Sequence, residues 1–138
     1  SLYTVKAFII LDHDGRRLLA KVMLVSKSIT KSFSNFTHGK RINTQYEVLL
    51  VDSVTALCQK LSDITCYIIG GPHENELLLL AALTCICESL CHMLRKHVDR
   101  SSLLENMDTA FLVLDEIIDQ GVILESDYQQ VVQRLSFK

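Results

Sequence analysis

Ser102-Leu-Leu-Glu-Asn-Met-Asp-Thr-Ala-Phe-Leu-Val-Leu-Asp-Glu-Ile-Ile-Asp-Gln-Gly-Val-Ile-Leu-Glu-Ser126 is the stretch whose reading decides the fold. Leu103, Leu104, Met107, Ala110, Phe111, Leu114, Ile117 and Ile118 recur at steps of three and four, the period of a helix with one apolar face. Ser102 with Glu105 matches a capping box, and Gly121 fits a left-handed stop, so one helix is expected over 102–119. Leu114 and Phe111 are expected to be internal. No polar residue along the tract belongs to a recognisable catalytic set.

Upstream, a second helix is expected from about Glu74 to Val98. Its first half is apolar around most of its circumference, so it needs cover on several sides. Arg95, Lys96, His97 and Arg100 crowd its expected last turn, where cations favour the negative helix end. The unbroken apolar part, Leu77 to Cys87, falls well short of the roughly 20 residues that cross a bilayer, so no transmembrane segment is expected. A short helical piece over 127–135 closes the order.

Before these helices the pattern is that of strands. Residues 3–11 alternate and then become solidly apolar, as in a central strand covered on both faces. Asp12-His13-Asp14-Gly15 is a hairpin signal leading to a second strand over 16–22. Ile29, Phe33 and Phe36 suggest a short helix over 26–38, followed by loop from Gly39 to Thr44. Tyr46–Val51, Val54–Lys60 and Ile64–Gly70 form a meander, turned at Asp52-Ser53 and at Leu61-Ser62-Asp63. Antiparallel strands beside segregated helices give an α+β domain in the order β-β-α-β-β-β-α-α.

The chain has 138 residues, enough for one domain with a true core, and no repeat or linker divides it, so a single domain over 1–138 is expected. Hydrophobic residues at 49% and charged ones at 22% exclude a disordered chain, and the formal net charge of −2 argues against a nucleic-acid binder driven by global charge. Leu2-Tyr3-Thr4-Val5-Lys6 reads as a strand opening and not as a signal peptide. Five Cys at 58, 66, 85, 87 and 91 form no CxxC pair and sit in apolar runs, which reads as free buried thiols in a reducing compartment. The Asn35-Phe36-Thr37 sequon is read as chance.

Each candidate for chemistry has a plainer structural reading. Asp12-x-Asp14-Gly15 lacks the further acidic ligands of a calcium loop and is taken as a turn. Gly70-Gly71-Pro72 before a helix resembles an anion cradle, but Glu74 and Glu76 in the first turn would repel a phosphate. Cys87 and Cys91 share a helical face, yet Cys85 and His92 point elsewhere, so no metal site is expected. The five His (13, 38, 73, 92 and 97) lie in turns, loops or charged helix faces, so no catalytic or cofactor residue is assigned. The basic clusters Lys27/Lys31/Lys40/Arg41 and Arg95/Lys96/Arg100 are read as solvated faces, with an acidic partner or anionic membrane as the alternative. Val122-Ile123-Leu124 follow the helix stop and need apolar cover, from their own core or from another chain.

Several of these segments together resemble one family. Leu2-Tyr3-Thr4-Val5-Lys6-Ala7, Ile10-Leu11-Asp12, Glu74-Asn75-Glu76-Leu77, Met93-Leu94-Arg95-Lys96, Leu103-Leu104-Glu105-Asn106-Met107 and Gly121-Val122-Ile123-Leu124-Glu125-Ser126-Asp127 closely resemble the zeta subunits of coatomer. Arg16-Arg17-Leu18-Leu19-Ala20-Lys21 looks most like the second vertebrate isoform. The resemblance implies a longin-like (SNARE-like, profilin-like) fold, a five-stranded antiparallel sheet with helices on both faces. It further implies a non-enzymatic subunit that pairs with the gamma coatomer subunit in the COPI coat. An Arf-family GTPase recruits that coat to Golgi membranes, for Golgi-to-ER retrograde and intra-Golgi transport. Cytoplasmic localisation follows from the same resemblance. Residues 22–71 depart from the family in wording, and Tyr128 stands where relatives have Pro. Clathrin-adaptor sigma subunits hold dileucine signals with an Arg where this chain has Leu18, so cargo-signal binding is not carried over. Val122, Ile123, Leu124 and Glu125 are the residues expected at the partner interface. The other classes kept open are a longin-type subunit of another trafficking or tethering complex and a small cytosolic Cys-dependent enzyme.

Overall fold

A computed structural model describes residues 5–22, 40–41, 46–51, 54–71, 75–95, 97–119, 122–123, 125 and 127–136. The expected helix over 26–38, the sequon, His38, His73, Lys27, Lys31, Gly121 and Leu124 lie outside these described residues.

The chain forms β1 (Val5–Asp12), β2 (Arg17–Val22), β3 (Lys40–Arg41), β4 (Tyr46–Val51), β5 (Val54–Leu61) and β6 (Ile64–Gly70). They make one antiparallel sheet in the order β2-β1-β6-β5-β4-β3. The five long strands are those the alternation predicts. Lys40–Arg41, expected as loop, instead pairs with Glu47 and Val48 as a two-residue edge strand. Nothing in the local sequence announces so short a strand; it exists only because β4 offers an edge.

The helices are α1 (Glu76–Met93), α2 (Arg100–Glu105), α3 (Met107–Ile117) and α4 (Tyr128–Ser136). A small hairpin of β7 (Ile118–Asp119) and β8 (Val122–Ile123) joins α3 to the segment before α4. Side-chain alternation divides the sheet cleanly. Phe8, Ile10, Leu57, Ile64, Cys66 and Ile68 point into the main core, against the helices. Ala7, Ile9, Val54, Ala56, Cys58 and Ile69 form a second buried cluster on the other face. Among the described residues all helices lie on the first face, so the expectation of a helix on the second falls outside them. A bulge at Leu18, where Ile10 pairs with Leu19 but Leu11 pairs with Arg17, brings Leu18 and Leu19 both to the main core.

α1 is the centre of that core. Its buried positions, Leu79, Ala82, Leu83, Cys85, Ile86, Cys87, Ser89 and Leu90, cover more than half of the circumference. The sheet takes one side, while α3 and α4 take the other. By length and composition this helix could cross a membrane, but its side from Leu79 to Leu90 is packed against these neighbours. Burial of each large side chain stabilises by about 1.5–3 kcal/mol.

The helix ends differ from expectation. α1 stops at Met93 rather than near Val98, because Arg95 adopts φ 60, the left-handed turn that closes helices. Arg95 and His97 therefore lie beyond the helix, not in its last turn, and Arg100 opens the next one. The next capping box is Asp99 with Ser102, three residues earlier than the Ser102/Glu105 pair suggests: Asp99 accepts from the Ser102 amide at 2.7 Å, and the Asp99 amide donates to the Ser102 hydroxyl at 3.0 Å. The expected single helix is broken at Asn106, whose φ of −125° leaves the helical range. Its side-chain Nδ2 donates to the Ser102 carbonyl at 2.8 Å, a local alternative to the helical ladder. Ile118 is already extended, so α3 ends at Ile117 without reaching 119.

Leu114 is buried as expected, but Phe111 is 39% exposed, a correction: the inward face of α3 is Ala110, Val113, Leu114 and Ile117, and at 100° per residue Phe111 falls at its margin. Two substitutions three residues apart should therefore diverge. Leu114→Ala is expected to cost about 2–5 kcal/mol and Phe111→Ala about 1 kcal/mol or less, measured by urea unfolding. Equal losses at both positions would contradict this orientation of α3.

Candidate functional site

The polar groups that might carry chemistry are held as structure. Asp12 closes the β1–β2 turn: its Oδ1 accepts from the Asp14 amide at 2.9 Å and the Arg16 amide at 2.8 Å, while Gly15 takes φ 81. The Arg16 amide is the main cause that holds the Asp12 carboxyl below its ordinary value, with Asp14, His13 and Arg100 adding to it against burial. Arg100 Nε lies 3.7 Å from Asp12 Oδ2, and the Arg100 amide donates to Asp63 Oδ1 at 2.8 Å. One residue at the start of α2 thus ties the β1–β2 turn to the β5–β6 turn. At the start of α1, Asn75 caps the helix by accepting from the Leu77 amide at 2.9 Å, and Glu76 occupies the first turn, an unfavourable setting for an anion.

Cys85, Cys87 and Cys91 are the opposite of activated thiols. Cys58, Cys66, Cys85 and Cys87 are buried and Cys91 is half-buried. Burial pushes Cys85 up to about 11, with the neighbouring Ser89 hydroxyl acting weakly against it. A hydrogen bond with Cys66, then burial, keeps Cys87 protonated well above its ordinary range, and burial raises Cys91. Reactive cysteines require the reverse shift. His92 is stacked on Tyr128, with centroids 5.1 Å apart, and so fastens α1 to α4. Among the described residues no three His, Cys, Asp or Glu side chains converge as metal ligands.

What remains is surface. Of the expected interface residues, Val122 sits in β8 opposite Asp119, and Ile123 opposite Ile118, with the Ile123 side chain half-buried against the main core. Glu125 is half-buried: its Oε1 accepts from the Asp127 amide at 3.0 Å and its Oε2 from Arg134 Nη2 at 3.3 Å. Arg134 Nε also donates to Glu116 Oε2 at 3.0 Å, so one guanidinium joins α4, α3 and the segment after β8. Lys21 reaches across to Asp115 and pins β2 to α3. Ile123 and Glu125 are thus both engaged with their own domain. Among the described residues the large apolar side chains that are exposed are Leu77, Leu104, Phe111 and Leu112. Leu112 falls outside the three-and-four pattern of its helix, which is the signal that could have marked it as outward.

The whole arrangement, one antiparallel sheet with α1 sandwiched under α3 and α4, is that of a longin-type small adaptor chain. The family model for the clathrin adaptor complex small chain matches residues 4–138, and the chain belongs to that family. Within it, the chain is similar to the coatomer zeta subunits. It is 50% identical to coatomer subunit zeta-2 of Homo sapiens, over 100% of this chain and 67% of the relative. It is 46% identical to human coatomer subunit zeta-1, over 100% and 80%. Identity to the zeta subunit of Saccharomyces cerevisiae is 32%, over 99% and 79%. A chain in a homology model of the full-length AP-3 complex in a stretched open conformation shares the fold, with TM-score 0.65 at 18% identity, over 96% of this chain and 92% of that one.

Because four thiols are buried and the shifts resolved among them are upward, brief iodoacetamide treatment of the folded protein at neutral pH should leave them unmodified, with slow labelling confined to Cys91. Unfolding should open all five. Rapid modification of a single Cys in the native state, read by intact-mass spectrometry, would contradict that assignment.

Proposed function

We propose that this chain is a non-catalytic structural subunit of the COPI vesicle coat. It pairs with the gamma coatomer subunit and serves Golgi-to-ER retrograde and intra-Golgi transport. The observation that carries this reading is the similarity to coatomer zeta subunits along the full chain. The physical requirement of such a subunit is a stiff domain that docks on a larger helical partner without rearranging. The α1-centred core and the Arg134 and Lys21 braces meet that requirement. The unit proposed is a single longin-like domain over 1–138. Its setting is the cytoplasm and, through the coat and an Arf-family GTPase, the surface of Golgi membranes. We place Val122, Ile123, Leu124 and Glu125 at an edge of the gamma contact. A pairwise interface of standard size buries roughly 800 Å² on each partner, so these four residues can be only part of it.

Co-purification tests the proposal. The chain mixed with the isolated trunk of the gamma coatomer subunit should elute as a one-to-one complex in size-exclusion chromatography. Separate elution, with the large subunit of a different adaptor complex co-eluting instead, would move the chain to another trafficking assembly.

A further inference from the structure

The charge of this chain is unevenly placed. From Ser101 to Gln133 there is no Lys, Arg or His, and seven carboxylates: Glu105, Asp108, Asp115, Glu116, Asp119, Glu125 and Asp127. Lys21 answers Asp115, and Arg134 answers Glu116 and Glu125. Glu105, Asp108 and Asp119 have no cation within ion-pair distance among the described residues. Asp108 lies on α3 itself, with Glu105 at the end of α2 and Asp119 in β7; on the outer side of α3 Phe111 is 39% and Leu112 48% exposed, with Leu104 on α2 at 44%. At 100° per residue Phe111, Leu112, Asp108 and Asp115 share the side of α3 turned away from Ala110, Val113, Leu114 and Ile117. The result is an apolar pair set in an acidic field.

The geometry points to a second docking surface: the outer face of α3, centred on Phe111 and Leu112, takes an amphipathic helix of the large partner subunit whose apolar stripe is flanked by Lys and Arg. This deepens the coat reading and rests on it. Charge decides the occupant. An anionic membrane surface would be repelled by these carboxylates, of which Asp108 shares the outer side of α3 with the apolar pair. A second copy of this face would bring the same carboxylates together. A basic helix gains at both the centre and the rim. Two side chains cannot supply a standard interface by area, but a desolvated aromatic and its neighbour are the kind of anchor that dominates binding energy. The rim charges add association rate and salt dependence.

The test is titration calorimetry of the full chain against the gamma trunk, with three variants checked for unchanged melting curves. Phe111→Ser with Leu112→Ser should weaken binding by about tenfold or more. Glu105→Lys with Asp108→Lys should weaken it and flatten its dependence on salt. Leu77→Ser, at an exposed apolar side chain on α1, should leave it unchanged. Binding by the wild type that neither double variant alters overturns this surface while the coat proposal stands. No binding by the wild type overturns both. If the Phe111/Leu112 variant instead abolishes self-association in sedimentation, or binding to phosphatidylserine vesicles, the face belongs to a second copy or to a membrane, and the assignment fails.

Discussion

A helix that is apolar around more than half its surface cannot lie on a sheet alone; it has to be enclosed. That constraint on α1 organises everything else. Leu79, Leu83, Ile86 and Leu90 are among its buried side chains, set against the main-core face of the sheet, where Phe8, Ile10, Leu57, Ile64, Cys66 and Ile68 point. The remaining apolar surface is closed by α3 and α4 through Val113, Leu114, Ile117, Val131 and Leu135. Each layer is needed by the next: without the sheet α1 has no floor, and without α3 and α4 it exposes a surface of the kind that drives aggregation.

The polar contacts make this stack stiff rather than stable. Lys21 and Asp115 link β2 to α3, Arg134 links α4 to α3 and to Glu125, and Arg100 gathers two turns of the sheet. Exposed pairs of this sort contribute little to stability individually. Their effect is to fix how the outer helices sit, which matters for a domain whose role is to present a surface of constant shape. The raised thiols fit the same picture, since a protonated, buried Cys behaves as a small apolar filler.

Most of the fold was legible because it is written in periodicity. The strands over Tyr46–Val51 and Ile64–Gly70 were read to the residue, and Val54–Leu61 to within one, since alternation and turn residues mark both ends. Helix interiors were equally clear, but their ends were not. Arg95 in a left-handed turn carries no glycine to announce it, and Asp99 with Ser102 competes in sequence with Ser102 and Glu105 for the same cap. The break at Asn106 depends on a single side chain choosing a backbone carbonyl, a choice that periodicity does not see. Phe111 is exposed because it sits at the margin of the inward face of α3, where a step of three or four still counts it as internal. Of the interface residues chosen from the sequence, Ile123 and Glu125 are partly engaged with their own domain, because apolar character alone does not say which neighbour provides the cover.

The account stands or falls on α1 being the enclosed centre of the structure. Native-state hydrogen exchange resolved by residue tests this directly. The amides of α1 from Leu83 to Leu90 should be among the slowest in the chain, exchanging together with those of β1, β5 and β6, only through global unfolding. Exchange in α1 that runs orders of magnitude faster than in the central strands would show a helix that leaves the sheet on its own, and would contradict the enclosed-helix account.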